Sequence, residues 1–300
     1  MLKIAFNEYY VQPLPEGHRF PMEKYDLLPK QLIHEGTVDA ANFFSPTLIN
    51  KETILGVHDA NYFERLINLE LSPREQRKSG FPHDERLIAR EQIIMEGTRK
   101  CAEYALEHGV AMNIAGGTHH AYADRAEGFC LLNDQAIAAK WLLDKQLASQ
   151  ILIIDLDVHQ GNGSATIFQD EPRVFTFSMH GQNNYPLHKE ISNLDVGLED
   201  GIKDQAYLYL LENNLDIVLN QFQPDFIFYQ SGVDIIETDK LGRLSVSLAG
   251  SKKRDEIVFN LAKQNKIPIV ASMGGGYSPE VKHIIEAHAN TFRAAQHIFF

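Results

Sequence analysis

Three residues able to bind a cation or a proton stand at every second position in the stretch Ile151–Gly163, ILIIDLDVHQGNG: Asp155, Asp157 and His159. In an extended chain alternate side chains share a face. This spacing therefore aims two carboxylates and an imidazole to one side of a strand end. The apolar run Ile151 to Ile154 reads as that strand, buried on both faces. In open α/β sheets ligands collect beyond the carboxyl ends of strands. Three such groups on one buried face need compensating charge, which a bound cation supplies. Asp234 follows a second apolar run, DFIFY, within QSGVD. Together Asp157, His159 and Asp234 offer two oxygens and one nitrogen, leaving a coordination position open as in a catalytic zinc site. Asp155 reads as a carboxylate standing behind these ligands. A lone strand-end Asp more often caps a turn; the joint pattern favours the metal.

Two further groups fit hydrolytic chemistry. His119 and His120 follow a Gly-Gly turn at the end of the apolar run VAMNIA. One of them can act as a general base near neutral pH, with Asp155 and Asn162 as candidate orienting partners. Tyr277 follows three glycines in MGGGY, and its phenol could stabilise an oxyanion.

These clusters must be held by strands and helices. Lys3–Asn7, Val110–Ala115, Ile151–Ile154, Val174–Ser178, Asp225–Tyr229 and Ile267–Ser272 read as strands. Helical patterns begin at Pro21 and stop at Gly36, then cover Asn61–Leu69, Asp84–His108, Asn133–Lys145 and Asp204–Phe222. Ser72–Arg77 reads as charged surface. Ser278 could cap the last helix, with Pro279 at its first position. Alternating strands and helices predict a mostly parallel sheet covered on both faces. That sheet would pool the polar clusters in one cleft. No repeat or linker divides the chain, so residues 1–300 are expected to form one domain.

Composition narrows the partners. A net charge of −12 disfavours nucleic acid, which needs a basic surface. The two cysteines, Cys101 and Cys130, make neither a CxxC pair nor a disulfide framework. The start MLKIAFNEYY has no secretory pattern, and no apolar run is long enough to cross a bilayer. A cytoplasmic protein with no membrane contact is expected, and its oligomeric state stays open.

The motifs GGTHHAYADRAEGFCLLND (116–134), DLDVHQGNG (155–163), SGVDIIETDKLGRL (231–244) and GGGY (274–277) resemble zinc-dependent histone deacetylases and their bacterial relatives, in the family's order. The opening GHRFPMEKYDLL (17–28) resembles the class IV and bacterial branch. The resemblance implies the arginase/deacetylase fold, an α/β sheet of about eight mostly parallel strands. It implies one Zn2+ on Asp157, His159 and Asp234. His120 becomes the general base and acid, and His119 its electrostatic partner, bonded to Asp155. Tyr277 becomes the group that polarises the amide carbonyl. Gly128 and Phe129 line an acyl-lysine tunnel opposite Tyr185, and Arg19 lies near an internal acetate channel. A structural K+ is implied at Asp155, Ser178 and the carbonyls around Asp157 and His159.

Two departures bear on specificity. Asn162 stands where several branches carry Asp, and Leu241 where polyamine-specific relatives carry Glu. No residue matches firmly the carboxylate that anchors substrate backbone elsewhere, although His83 and Asp84 lie in that region. The reaction expected is hydrolysis of an acyl group, acetyl or longer, from the Nε of lysine in a protein or peptide. The alternatives are an acetylpolyamine or other small acetylated-amine deacetylase and a non-catalytic acyl-lysine binding module. A two-manganese ureohydrolase would need a further set of bridging carboxylates that the chain lacks.

Overall fold

The computed structural model describes residues 1–300. Eight strands form one parallel sheet: β1 (Lys3–Ala5), β2 (Phe43–Phe44), β3 (Val110–Asn113), β4 (Ile151–Asp155), β5 (Val174–Gly181), β6 (Leu194–Leu198), β7 (Phe226–Gln230) and β8 (Ile269–Ser272). Their order is β2-β1-β3-β8-β7-β4-β5-β6. Ten helices accompany them: α1 (Lys24–His34), α2 (Lys51–Leu55), α3 (Ala60–Ile67), α4 (Pro73–Ser79), α5 (Glu85–His108), α6 (Asp134–Asp144), α7 (Asn162–Phe168), α8 (Asp204–Gln221), α9 (Leu248–Asn265) and α10 (Val281–Phe299). No helix is long and apolar enough to cross a membrane.

The period of two in the strands sorts their side chains between two cores. Ile151, Ile153, Phe226, Phe228 and Val270 pack with the alanines of α5 and α6. Leu152, Ile154, Ile227, Tyr229 and Ile269 pack with α9 and α10 on the opposite face. All are nearly or fully buried, which is why these strands read as continuous apolar runs. After β4 the chain runs outward through β5 and β6, then returns to place β7 and β8 on the other side of β4. That reversal opens the crevice in which an open α/β sheet binds ligands.

Several local expectations change. The first long helix begins at Lys24 rather than Pro21. Ser72–Arg77 does lie at the surface, and it also forms most of a helix, α4: Ser72 caps it, and Glu75 returns a bond to the Ser72 backbone N–H. Ser278 caps nothing, because its hydroxyl bonds to Thr238 and α10 starts at Val281.

Candidate active site

Strand β4 ends at Asp155, two residues before the first candidate ligand. The alternation nevertheless continues past it. Leu156 N–H donates to Gln230 O at 3.2 Å and Gly181 N–H to Val158 O at 2.9 Å, prolonging the ladders on either side. Leu156 and Val158 are fully buried. The chain curls because Asp157 N–H donates to Asp155 Oδ1 and His159 N–H to Asp157 Oδ1.

Asp157, His159 and Asp234 converge. Their ligand atoms lie within 4.8 Å of one another. His159 Nδ1 is 3.0 Å from Asp157 Oδ1 and 3.1 Å from Asp234 Oδ2. All three residues are buried. Burial, then the Asp157 charge, push Asp234 up to about 7. Burial opposes protonation of His159, but its bonds to the two carboxylates outweigh it and hold the imidazole at about 10. The pocket thus demands positive charge, and two oxygens with one nitrogen suit a divalent cation of the zinc kind. The backbone adds its part: Gly275 N–H donates to Asp157 Oδ2 at 2.9 Å. A Cβ on Gly275 would come within 2.1 Å of Asp234 Oδ2, so only glycine lets this loop close on the cluster.

The two adjacent histidines have different supports. His119 Nδ1 lies 2.7 Å from Asp155 Oδ2. Burial lowers its pKa, yet Asp155 and Asp157 outweigh that and raise it to about 9. His120 Nδ1 meets the Asn162 side-chain oxygen at the start of α7. Burial, followed by the charges of His119 and His159, drives His120 well below the ordinary imidazole value. The surroundings thus favour the charged form of His119 and the neutral form of His120. Asn162 is itself held, donating to the Tyr122 hydroxyl at 2.8 Å.

Tyr277 lies across the cluster, its ring centroid 6.4 Å from that of His159. Its backbone N–H donates to Asp239 Oδ2 at 2.6 Å. Asp239 Oδ1 also accepts from Leu241 N–H and Gly242 N–H. Asp239 therefore ties the Tyr277 loop to the Leu241 loop. It lies inside the motif 231–244, but an acid among polar neighbours gives no sign of this role.

Two cavities meet at His120, His159 and Tyr277. The outer one, about 370 Å³, is lined by Arg19, Gly128, Phe129, Tyr185 and Leu241 among others. Phe129 and Tyr185 are aromatic walls, with the Tyr185 ring 5.1 Å from His120. Gly128 has φ +55°, and a Cβ there would meet His120 Cδ2 at 2.6 Å. The inner cavity, about 40 Å³, reaches Tyr25 and Arg90. Arg19 stands over the Phe129 ring at 4.8 Å in the outer cavity, not beside the inner one. The arginine of the inner cavity is Arg90, on the long helix α5. Asp84 caps that helix and bonds to Gln12; His83 bonds to Ser79. Neither residue lines the outer cavity.

Sequence reasoning also missed Arg254. This fully buried guanidinium on α9 donates to Gly232 O at 2.5 Å, Ser231 O at 3.1 Å and Leu156 O at 3.3 Å. Those carbonyls lie in the two loops that carry Asp157 and Asp234. Asp255 pairs with Arg254 at 2.8 Å and takes hydroxyl bonds from Tyr229 and Thr291.

Fold and site together define a hydrolase of the arginase/deacetylase class. Residues 18–292 match the histone deacetylase domain, and the chain belongs to the histone deacetylase family. It is 40% identical to an uncharacterized protein of Picosynechococcus sp., over 99% of each chain. It is 30% identical to histone deacetylase 2 of Arabidopsis thaliana, covering 89% of this chain and 72% of that protein. A crystal structure of an HDAC homolog from Aquifex aeolicus matches with a TM-score of 0.84 at 25% identity, covering 98% of this chain and 84% of that one.

Proposed function

We propose that this protein hydrolyses the amide of Nε-acetyl-lysine in a protein or peptide, using one Zn2+ held by Asp157, His159 and Asp234. The observation that carries this reading is the junction of the two cavities at His120, His159 and Tyr277. An aromatic-walled approach suits the aliphatic part of lysine. The inner space of about 40 Å³ holds about three water-sized spheres, which suits an acetyl group better than a fatty chain.

A divalent ion bound there supplies Lewis acidity towards the carbonyl and lowers the pKa of water. The remaining chemistry belongs to side chains. Neutral His120, oriented by Asn162, takes the proton from water and returns it to the leaving amine. His119, kept charged by Asp155, stabilises negative charge developing beside it. The Tyr277 hydroxyl donates to the carbonyl oxygen as it becomes an oxyanion. Phe129 and Tyr185 flank the methylene chain and exclude water. Leu241 leaves the outer wall without the acid that a polyamine would want. We further propose K+ near Asp155 and Ser178, which pair in register across β4 and β5.

An acyl-chain series on one lysine peptide, with metal analysis of the same sample, tests this reading. Acetyl should be cleaved fastest, with about one zinc per chain. Tyr277→Phe should retain the metal and lose roughly 100- to 1,000-fold in kcat. Asp157→Ala should lose the metal. Full activity in Tyr277→Phe, or unchanged zinc in Asp157→Ala, would overturn the assignment.

A further inference from the structure

The chain has 40 acidic against 28 basic residues, yet the mouth of the outer cavity is basic. The charged side chains lining it, apart from the imidazoles at its floor, are Arg19, Lys78 and Arg243. They come from three separate segments: the loop before α1, the last turn of α4 and the loop after β7. Arg19 and Lys78 are exposed and have no carboxylate within ion-pair distance. Arg243 touches Asp200 at 3.2 Å through one nitrogen, leaving other guanidinium donors free. Besides Asp200, the acids bonded to this wall already hold hydrogen-bond donors. Glu127 takes the Tyr185 hydroxyl, and Asp239 takes three backbone N–H groups.

Each cation has a local explanation. Arg19 stacks on Phe129, and Lys78 suits a helix C-terminus. Neither explains why all three face one opening. Lys78 is also bound into the wall, since its carbonyl accepts from Gly128 N–H at 3.1 Å.

We propose that this mouth selects acetyl-lysine in an acidic context, a peptide segment with Asp or Glu next to the modified lysine. The inference rests on the deacetylase reading above. An acidic flank would pair with Arg19 and Lys78 as the lysine enters. A lysine-rich tail or a polyamine would meet like charge there. The net charge of −12 repels acidic peptides at long range, but ionic screening confines that field to about 8–10 Å from the surface. Contacts inside the mouth then decide the preference.

The test uses three acetyl-lysine peptides that differ only in their flanking residues: Glu, Ala or Lys. At low salt kcat/KM should rank Glu, Ala, Lys, with roughly tenfold between the extremes, as two or three exposed ion pairs allow. Added salt of about 0.5 M should compress that ratio towards one. Arg19→Glu with Lys78→Glu should reverse the order. Equal kcat/KM for the Glu and Lys peptides in the unaltered enzyme, or a preference for Lys, would overturn the proposal whatever the variant does. Hydrolysis of the Ala peptide keeps the deacetylase reading standing in that case. If none of the three peptides is cleaved, that reading falls and this inference with it.

Discussion

His120 Nδ1 lies 2.6 Å from Asn162 Oδ1, so the neutral histidine rests on an amide, while its neighbour His119 rests on a carboxylate. Burial, followed by the charges of His119 and His159, holds His120 down, whereas Asp155 and Asp157 overcome the same burial at His119. Pairs of titratable groups whose environments push them apart mark acid and base assignments.

The amide can be exchanged for a charge. Asn162→Asp would put a carboxylate on His120 and favour its protonated form. A raised histidine pKa means the base is lost at higher pH as acid is added. The acidic limb of the kcat/KM profile should therefore move up by about one unit or more. An unmoved limb would show that His120 is not the group whose ionisation the profile reports.

Arg254 is a fully buried charge with a fully buried partner, Asp255. Replacing it by Met strands that carboxylate and leaves the carbonyls of Leu156, Ser231 and Gly232 without their donor. Breaking such a pair costs about 3–5 kcal/mol. Urea unfolding of Arg254→Met should show that loss, and removing Asp255 as well should recover part of it. Because the freed loops carry Asp157 and Asp234, metal affinity measured by chelator competition should also fall. Unaltered affinity would mean the guanidinium supports the fold without aligning the ligands.

Arg293 on α10 joins the end of α1 through Glu35, with Nε 2.8 Å from Oε1. That bond is the largest influence on Glu35, bringing it from 4.5 down to about 2. A depressed carboxyl stabilises the folded state fully above its unfolded value near 4.5, and the contribution fades as pH falls towards 2. Solvent screening limits it to about 1 kcal/mol. The stability gap between the unaltered protein and Glu35→Gln should be widest above pH 4.5 and shrink below it. Urea midpoints at a series of pH values check this, and a gap independent of pH would rule it out.

The strands that carry chemistry were legible because burial on both faces makes them continuous apolar runs, with polar clusters at their ends. Asp157 and His159 could be read together because a two-residue spacing survives into the loop after β4, and Asp234 because it follows the apolar run of β7. The edge strands were not legible. β2 has two residues, and β6 alternates half-buried and exposed side chains around Gly197. α9 was hidden by SKKRDE, which looks like a solvated charge run. Lys252 and Lys253 are not buried, but Arg254 and Asp255 are fully buried. Only three-dimensional packing separates those two pairs. The role of Arg90 was masked in the same way, as one charge among several on a long helix. Arg19, by contrast, reaches the outer cavity, because a resemblance in sequence does not record which cavity a loop side chain enters.

β7 and β8 lie between β3 and β4 in the sheet, although the chain makes them last. During synthesis on the ribosome, a nascent polypeptide that has already delivered Asp157 and His159 still lacks the central pair of strands. It has neither Asp234 nor Tyr277. The middle of the sheet is thus its final part to be filled, and premature termination anywhere before Asp234 leaves a product with an incomplete ion cage.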